Sequence, residues 1–314
     1  MKSKIIISRL LVFMLAITMV ISISTKKVYA DAYKVVTVGA DLNKQQKDDM
    51  LKYFKVTKDE ANVIEVTNSE EEKYLNGVAS KKQIGTKAIS CSYVEPTDKG
   101  GLNVSTHNIY WVTENMIKNA LITAGIENAN IKVSAPFNVS GTAALTGILK
   151  GFEKSKGGEK IDEKKKKAAN EELVVTGKLG EKIGQDEAAG LINEVKKEVI
   201  KDKPKTEKEI EKIVVNVTNN YGKNLSDEDI KSISKLMDKI NGLDLDFKQI
   251  KSQLNDVTKQ LKGKLTSEEA QGFFSKLWKS IKEFFSNSSK DSSFNTIEQN
   301  NKSNINFYNK IENL

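Results

Sequence analysis

A thiol beside an imidazole makes a nucleophilic thiolate, and this chain holds one of each, Cys91 and His107. They lie in two β-type runs, Ala88 to Val94 and Leu102 to Tyr110, separated by Pro96-Thr97-Asp98-Lys99-Gly100-Gly101. That turn signal predicts a hairpin. Symmetric pairing about Lys99 sets Cys91 opposite His107. A one-residue slip sets Cys91 opposite Asn108 instead and turns His107 to the other face. The turn does not choose between the registers. The favoured reading is two ordinary strand residues, with Cys91 small and buried.

A second group of reactive types is Ser140-Gly141-Thr142, within Val139 to Gly147. Ser140 is a suitable N-cap, and free backbone N–H groups at a helix start after it would form an anion site for a phosphate or carboxylate. The same small residues also permit close packing against a sheet, which is the preferred reading. A hydrolase built on Ser140 would need a base from elsewhere, His107 or a lysine. Metal chemistry is not expected, since one histidine and one cysteine cannot supply a zinc cage. Asp227, Glu228 and Asp229 stand at a helix start, where acidic residues complement the dipole without an ion. Asp244-x-Asp246 lacks the calcium-loop glycine and glutamate, with Gln249 and Asn255 at those places. No cofactor is expected.

The elements that must position these residues fall into two halves. Over residues 31–155 short β-type runs alternate with amphipathic helices. Val35 to Val38 and Val63 to Val66 read as strands. Asn43 with Gln46 forms a capping box for a helix carrying Met50, Leu51 and Phe54. Thr113 caps a helix through Met116, Ile117, Ala120 and Leu121, stopped by Gly125, and Asn130 to Val133 is the next strand. The expected fold is an α+β or α/β N-terminal domain with a mixed sheet, followed by an all-α helical region over 156–285.

In that second half the strand signal ends after Gly157-Gly158. Apolar residues then recur at helical spacing through Ala168 to Val174, Leu191 to Val199, Ile210 to Val217 and Ile230 to Ile240. Ile250, Leu254, Val257 and Leu261 show the 4,3,4 spacing of a short coiled-coil seam, sustained over too few heptads for anything but a bundle. A last helix through Phe273, Leu277, Trp278, Ile281 and Phe285 is amphipathic. It is read as core, with membrane contact a minor option. Residues 286–314, rich in Ser, Asn and Lys, are expected to form a disordered tail.

Charge and leader place the chain. Lys2, Lys4 and Arg9, an apolar stretch from Leu10 to Ile23 and the small-x-small Val28-Tyr29-Ala30 read as a signal peptide over residues 1–30, cleaved near Ala30. The apolar stretch is shorter than the roughly 20 residues that span a bilayer. The net charge of +8 includes five basic residues before Asp31, so the remainder carries about +3. Arg9 is the sole arginine, leaving no guanidinium fork for phosphate, and nucleic acid is not expected as a partner. The lysines, interleaved with Glu and Asp, read as solvated helix faces. With Cys91 alone, no internal disulfide can form.

Several runs carry a family resemblance. They are Thr37 to Leu42, Asn108-Ile109-Tyr110-Trp111, Asn119 to Ile126, Ala135 to Ile148 and Glu171 to Gly177. Together, over roughly Tyr33 to Leu265, the chain resembles the YpuA-like family of predicted secreted proteins of Gram-positive bacteria, whose domain is of unknown function. The resemblance implies export and an envelope setting and carries over no catalytic residue. The expectation is a secreted or envelope-associated, non-enzymatic protein binding a cell-wall component or an extracellular protein. The alternatives are an envelope-acting hydrolase using Ser140, Thr142 or Cys91 with His107, and peripheral membrane binding through the last helix.

Overall fold

The computed structural model describes residues 34–156 and 158–264, together with Glu268, Gly272 and Ser275. The expected signal peptide, nearly all of the expected last helix, and the tail lie outside the described residues. Among the described residues no helix is long and apolar enough to cross a membrane.

Five strands form one mixed sheet: β1 (Val35–Gly39), β2 (Asn62–Val66), β3 (Cys91–Pro96), β4 (Leu102–Ile109) and β5 (Ala129–Val139), in the order β2-β1-β3-β5-β4. The two parallel pairs, β1 with β2 and β4 with β5, lie at opposite ends of the sheet, and antiparallel β3 joins them. Each parallel pair is crossed by a helix, as parallel strands require. These are α1 (Lys44–Phe54), between β1 and β2, and α4 (Glu114–Ala124), between β4 and β5. The capping box of Asn43 with Gln46 starts α1, and a left-handed Gly125 ends α4. The two short helices α2 (Asn68–Leu75) and α3 (Lys81–Ile84) fill the link to β3.

The expected hairpin does not form, because β5 lies between β3 and β4. The burial patterns give the reason. On β4, Asn103, Ser105 and His107 are exposed at alternate positions, so one face of the strand is wetted. On β5, Ala129, Ile131, Val133, Ser134 and Ala135 are all buried, which suits a strand with neighbours on both sides. The glycine turn spans β5 instead of closing a hairpin: Thr97 N–H donates to the Asn128 carbonyl, and Gly101 N–H donates to Asn128 Oδ1 at 2.8 Å.

Helices follow without further strands: α5 (Ala144–Lys154), α6 (Glu163–Ile183), α7 (Gln185–Asp202), α8 (Glu207–Asn220), α9 (Asp227–Asn241) and α10 (Phe247–Lys264). One face of the sheet is covered by α1, through Met50, Leu51 and Phe54 against Val36, Val38 and Cys91. The other face, with Val94, Val104, Ile131 and Val133, belongs to a single hydrophobic core that continues through α4, α6 and α7 to Leu254 and Leu261 of α10. The helical half therefore packs on the sheet itself.

Candidate functional site

Cys91 and His107 are each paired across the sheet with the same residue of β5, Ser134. Paired residues share a face, so the three side chains stand in one row. With strands spaced roughly 4.8 Å apart, the outer two are about 10 Å from each other. The Cys91 thiol donates to the Ile89 carbonyl at 3.6 Å, and burial pushes it up to about 11. His107 is exposed and stacks on Tyr53 of α1, ring centroids 5.1 Å apart. The structure does not bring thiol and imidazole together.

Ser140 and Thr142 do come together with other polar groups. Their hydroxyls are 3.2 Å apart. Ser140 is not an N-cap: α5 begins at Ala144, and Ala143, in its N-cap position, makes no side-chain capping bond. The three residues instead form the turn that leads β5 into α5. Gly141 has φ +86°, and a Cβ there would collide with Ile109 Cγ2, so glycine is required on both counts. This turn forms one wall of a cleft of about 670 Å3, whose opposite walls are α6 and α9. Tyr110, 69% exposed, stands at its mouth.

The cleft floor is fixed by Trp111. Its indole N–H donates to Glu181 Oε1 at 2.9 Å. Its ring lies against Gly177 in the middle of α6, where a Cβ would overlap the ring. A glycine inside a helix costs about 1 kcal/mol relative to alanine, and here it makes room for the indole. The walls carry charge. Lys182 donates to both oxygens of Asp229 at 2.6 and 2.9 Å, and Ser226 donates to Asp229 Oδ2 at 2.7 Å. Burial alone would raise the Asp229 carboxyl, but these hydrogen bonds outweigh it and hold the group below the usual carboxylate range. Lys178 donates to the Val78 carbonyl at 2.6 Å. Glu228 and Ser232 complete the polar wall of α9. Neither Cys91 nor His107 lines the cleft, and among the described residues no group of three or more His, Cys, Asp or Glu could hold a metal ion.

A polar cluster that sequence reasoning missed lies buried between α4, α6 and α7. Lys196 of α7 is fully buried. It donates to Glu172 Oε1 of α6 at 2.8 Å, to the Asn119 carbonyl of α4 at 2.8 Å and to Thr123 Oγ1 at 3.1 Å. Thr123 in turn donates to Glu172 Oε2. Burial pulls the Lys196 ammonium below its ordinary range. Beside it, Lys197 lies 3.3 Å from Glu194, which also accepts from Thr258 of α10 at 2.7 Å. The reading of the lysines as solvated faces is thus corrected here: Lys118, Lys166, Lys196 and Lys197 are buried. The signal was present in the spacing. Lys196 stands four residues after Ile192 and three before Val199, inside the apolar stripe rather than beside it.

The runs Asn119 to Ile126, Glu171 to Gly177 and Asn108 to Trp111 therefore meet, at the buried ion pair and at the Trp111–Gly177 contact. The family model described as "Protein of unknown function (DUF1002)" matches residues 38–257. The chain is similar to the uncharacterized protein YpuA of Bacillus subtilis (strain 168), with 41% identity over 245 residues covering 77% of this chain and 84% of that protein. No solved structure matches.

Proposed function

The chain belongs to the DUF1002 family of unknown function, and on that footing we propose that it is an exported protein of the cell envelope or extracellular space that binds a cell-wall component in the cleft under Tyr110. The carrying observation is the make-up of that cleft. An exposed aromatic ring, two paired hydroxyls at Ser140 and Thr142, and a carboxylate-rich wall converge on one concave surface with a rigid floor. An aromatic face with surrounding hydroxyl and carboxylate groups is chemistry suited to hydroxyl- and amide-bearing polymers. Of the four groups that a nucleophilic mechanism would have drawn on, Ser140 and Thr142 face each other in the cleft, Cys91 donates to the Ile89 carbonyl, and His107, the only imidazole, stacks on Tyr53 and does not line the cleft. Export is inferred from the first 30 residues.

The test is retention of the purified chain from Asp31 onward on isolated cell walls, with secreted proteins and lipid vesicles as parallel arms. Binding to walls that is saturable and lost on Tyr110→Ala supports the reading. Retention by vesicles alone would move the function to the last helix. Retention by none of the three would contradict it, as would wall binding that Tyr110→Ala leaves unchanged.

A further inference from the structure

A second, smaller cavity of about 180 Å3, sharing no lining residue with the cleft, lies where the Gly100-Gly101 turn meets α4 and α10. Its floor is Lys118, Ile122 and Val257, and its rim is Asp256, Lys259 and Gln260, all three exposed. Lys118 is the unusual member. Its side chain is 7% exposed, yet its hydrogen bond goes to a neutral acceptor, Gln260 Oε1. An ammonium has three N–H donors, and a buried one is stable only when its charge is answered.

The nearby carboxylates are engaged elsewhere. Glu114 takes Lys264 at 2.8 Å, and Asp256 lies 3.6 Å from Lys259. Each of these carboxylates thus has another lysine as its ion-pair partner, Asp186 also acts on Lys264, and the buried Lys118 is left with a neutral partner. Burial pulls the Lys118 ammonium below its ordinary range, the Glu114 and Asp256 charges acting against that and Lys264 adding to it. A charge in this position calls for an anion. Gly100 and Gly101, with φ +106° and +72°, line the facing wall with open space where a side chain would stand, the Gly101 N–H itself being held by Asn128.

The geometry points to a binding site for a small oxyanion, a carboxylate or phosphate group, with Lys118 as its counter-ion and the 100–101 turn as its facing wall. Asp256, at the rim, works against such a ligand and sets its affinity low.

The site is tested by the thermal unfolding midpoint of the purified protein in inorganic phosphate or in acetate, at constant ionic strength made up with sodium chloride. A ligand that binds the folded state alone raises the midpoint with the logarithm of 1 + [L]/Kd, so the rise continues above Kd without a plateau. The expected result is such a rise for the native chain, its absence in Lys118→Met, and a several-fold lower Kd fitted to the rise in Asp256→Asn. Methionine keeps the volume and removes the buried charge, so its own baseline does not enter the comparison. Should Lys118→Met fail to fold, the Asp256→Asn shift still decides. A response to acetate alone assigns a carboxylate, and to phosphate alone a phosphate. The proposal is overturned by no response to either anion, by an equal response in Lys118→Met, or by an Asp256→Asn curve that matches or falls below the native one.

Discussion

Helix α6 carries two lysine–carboxylate pairs of nearly equal length in opposite surroundings. At its middle, Glu172 meets Lys196 at 2.8 Å with both side chains fully buried. Toward its end, Lys182 meets Asp229 at 2.6 Å with the lysine 55% exposed. The chemistry is the same and the consequence is not. In the first pair every polar contact is spent inside the protein, on Asn119, Thr123 and the partner charge. In the second, water already solvates the lysine and holding the pair together contributes little. The inner pair fixes how α4, α6 and α7 sit together. The outer pair lines a cleft and can exchange its partner for a ligand.

The largest expected effect comes from breaking the inner pair. Glu172→Ala leaves Lys196 buried and unanswered, and chemical denaturation should show a loss of about 3–5 kcal/mol. Replacing both residues with apolar ones, Glu172→Leu with Lys196→Met, should recover most of it. Asp229→Ala at the outer pair should cost about 1 kcal/mol or less. Equal losses at the two sites would remove the distinction.

Next is Glu71 of α2, fully buried, with neither carboxylate oxygen accepting a hydrogen bond within the geometric limits. Burial, together with the negative charges of Asp41, Glu70 and Glu72 and against the side chain of Asn68, raises its carboxyl to about 8. The folded state then keeps a proton that the unfolded state loses near 4.5. Stability from this group is present below about pH 4.5, falls as pH rises through about 8, and is level above that. Glu71→Gln should flatten this slope and raise stability at pH 9 on the order of 2–4 kcal/mol. A wild-type slope that survives the substitution would assign it to another group.

Between the two regions stands Gly177, against the Trp111 ring that floors the cleft. Gly177→Ala pushes a methyl group into the Trp111 ring and should cost about 1–3 kcal/mol. It should also weaken cleft binding through the displaced indole, whereas Tyr110→Ala should leave stability within about 0.5 kcal/mol.

Much of this architecture was legible in the sequence because local chemistry sets it. The Asn43–Gln46 capping box, the Gly125 stop, the acidic helix start at Asp227 to Asp229 and the α10 stripe all stand where the residue types placed them. What was illegible was non-local. The turn at 96–101 has the composition of a hairpin, but strand order is decided by which strand buries both neighbours, and β5, thirty residues later, wins that place. The short helices α2 and α3 carry little apolar periodicity and gave no warning. Ser140 and Thr142 could be named from their types, but the aromatic and charged partners that face them come from α6, α9 and the end of β4. No spacing along the chain records that meeting. Lys118 and Lys196 were hidden for the opposite reason: a lysine's type argues for solvent, and only its position in an apolar stripe argues against it.

The central claim is that the cleft binds and the interior only supports it. The most direct measurement is the amount of chain from Asp31 onward retained on isolated cell walls as its concentration rises, for the native chain and Tyr110→Ala at matched unfolding midpoints. Saturable retention of the native chain with at least tenfold weaker retention of the variant is the predicted result. Identical retention curves for the two chains would contradict it.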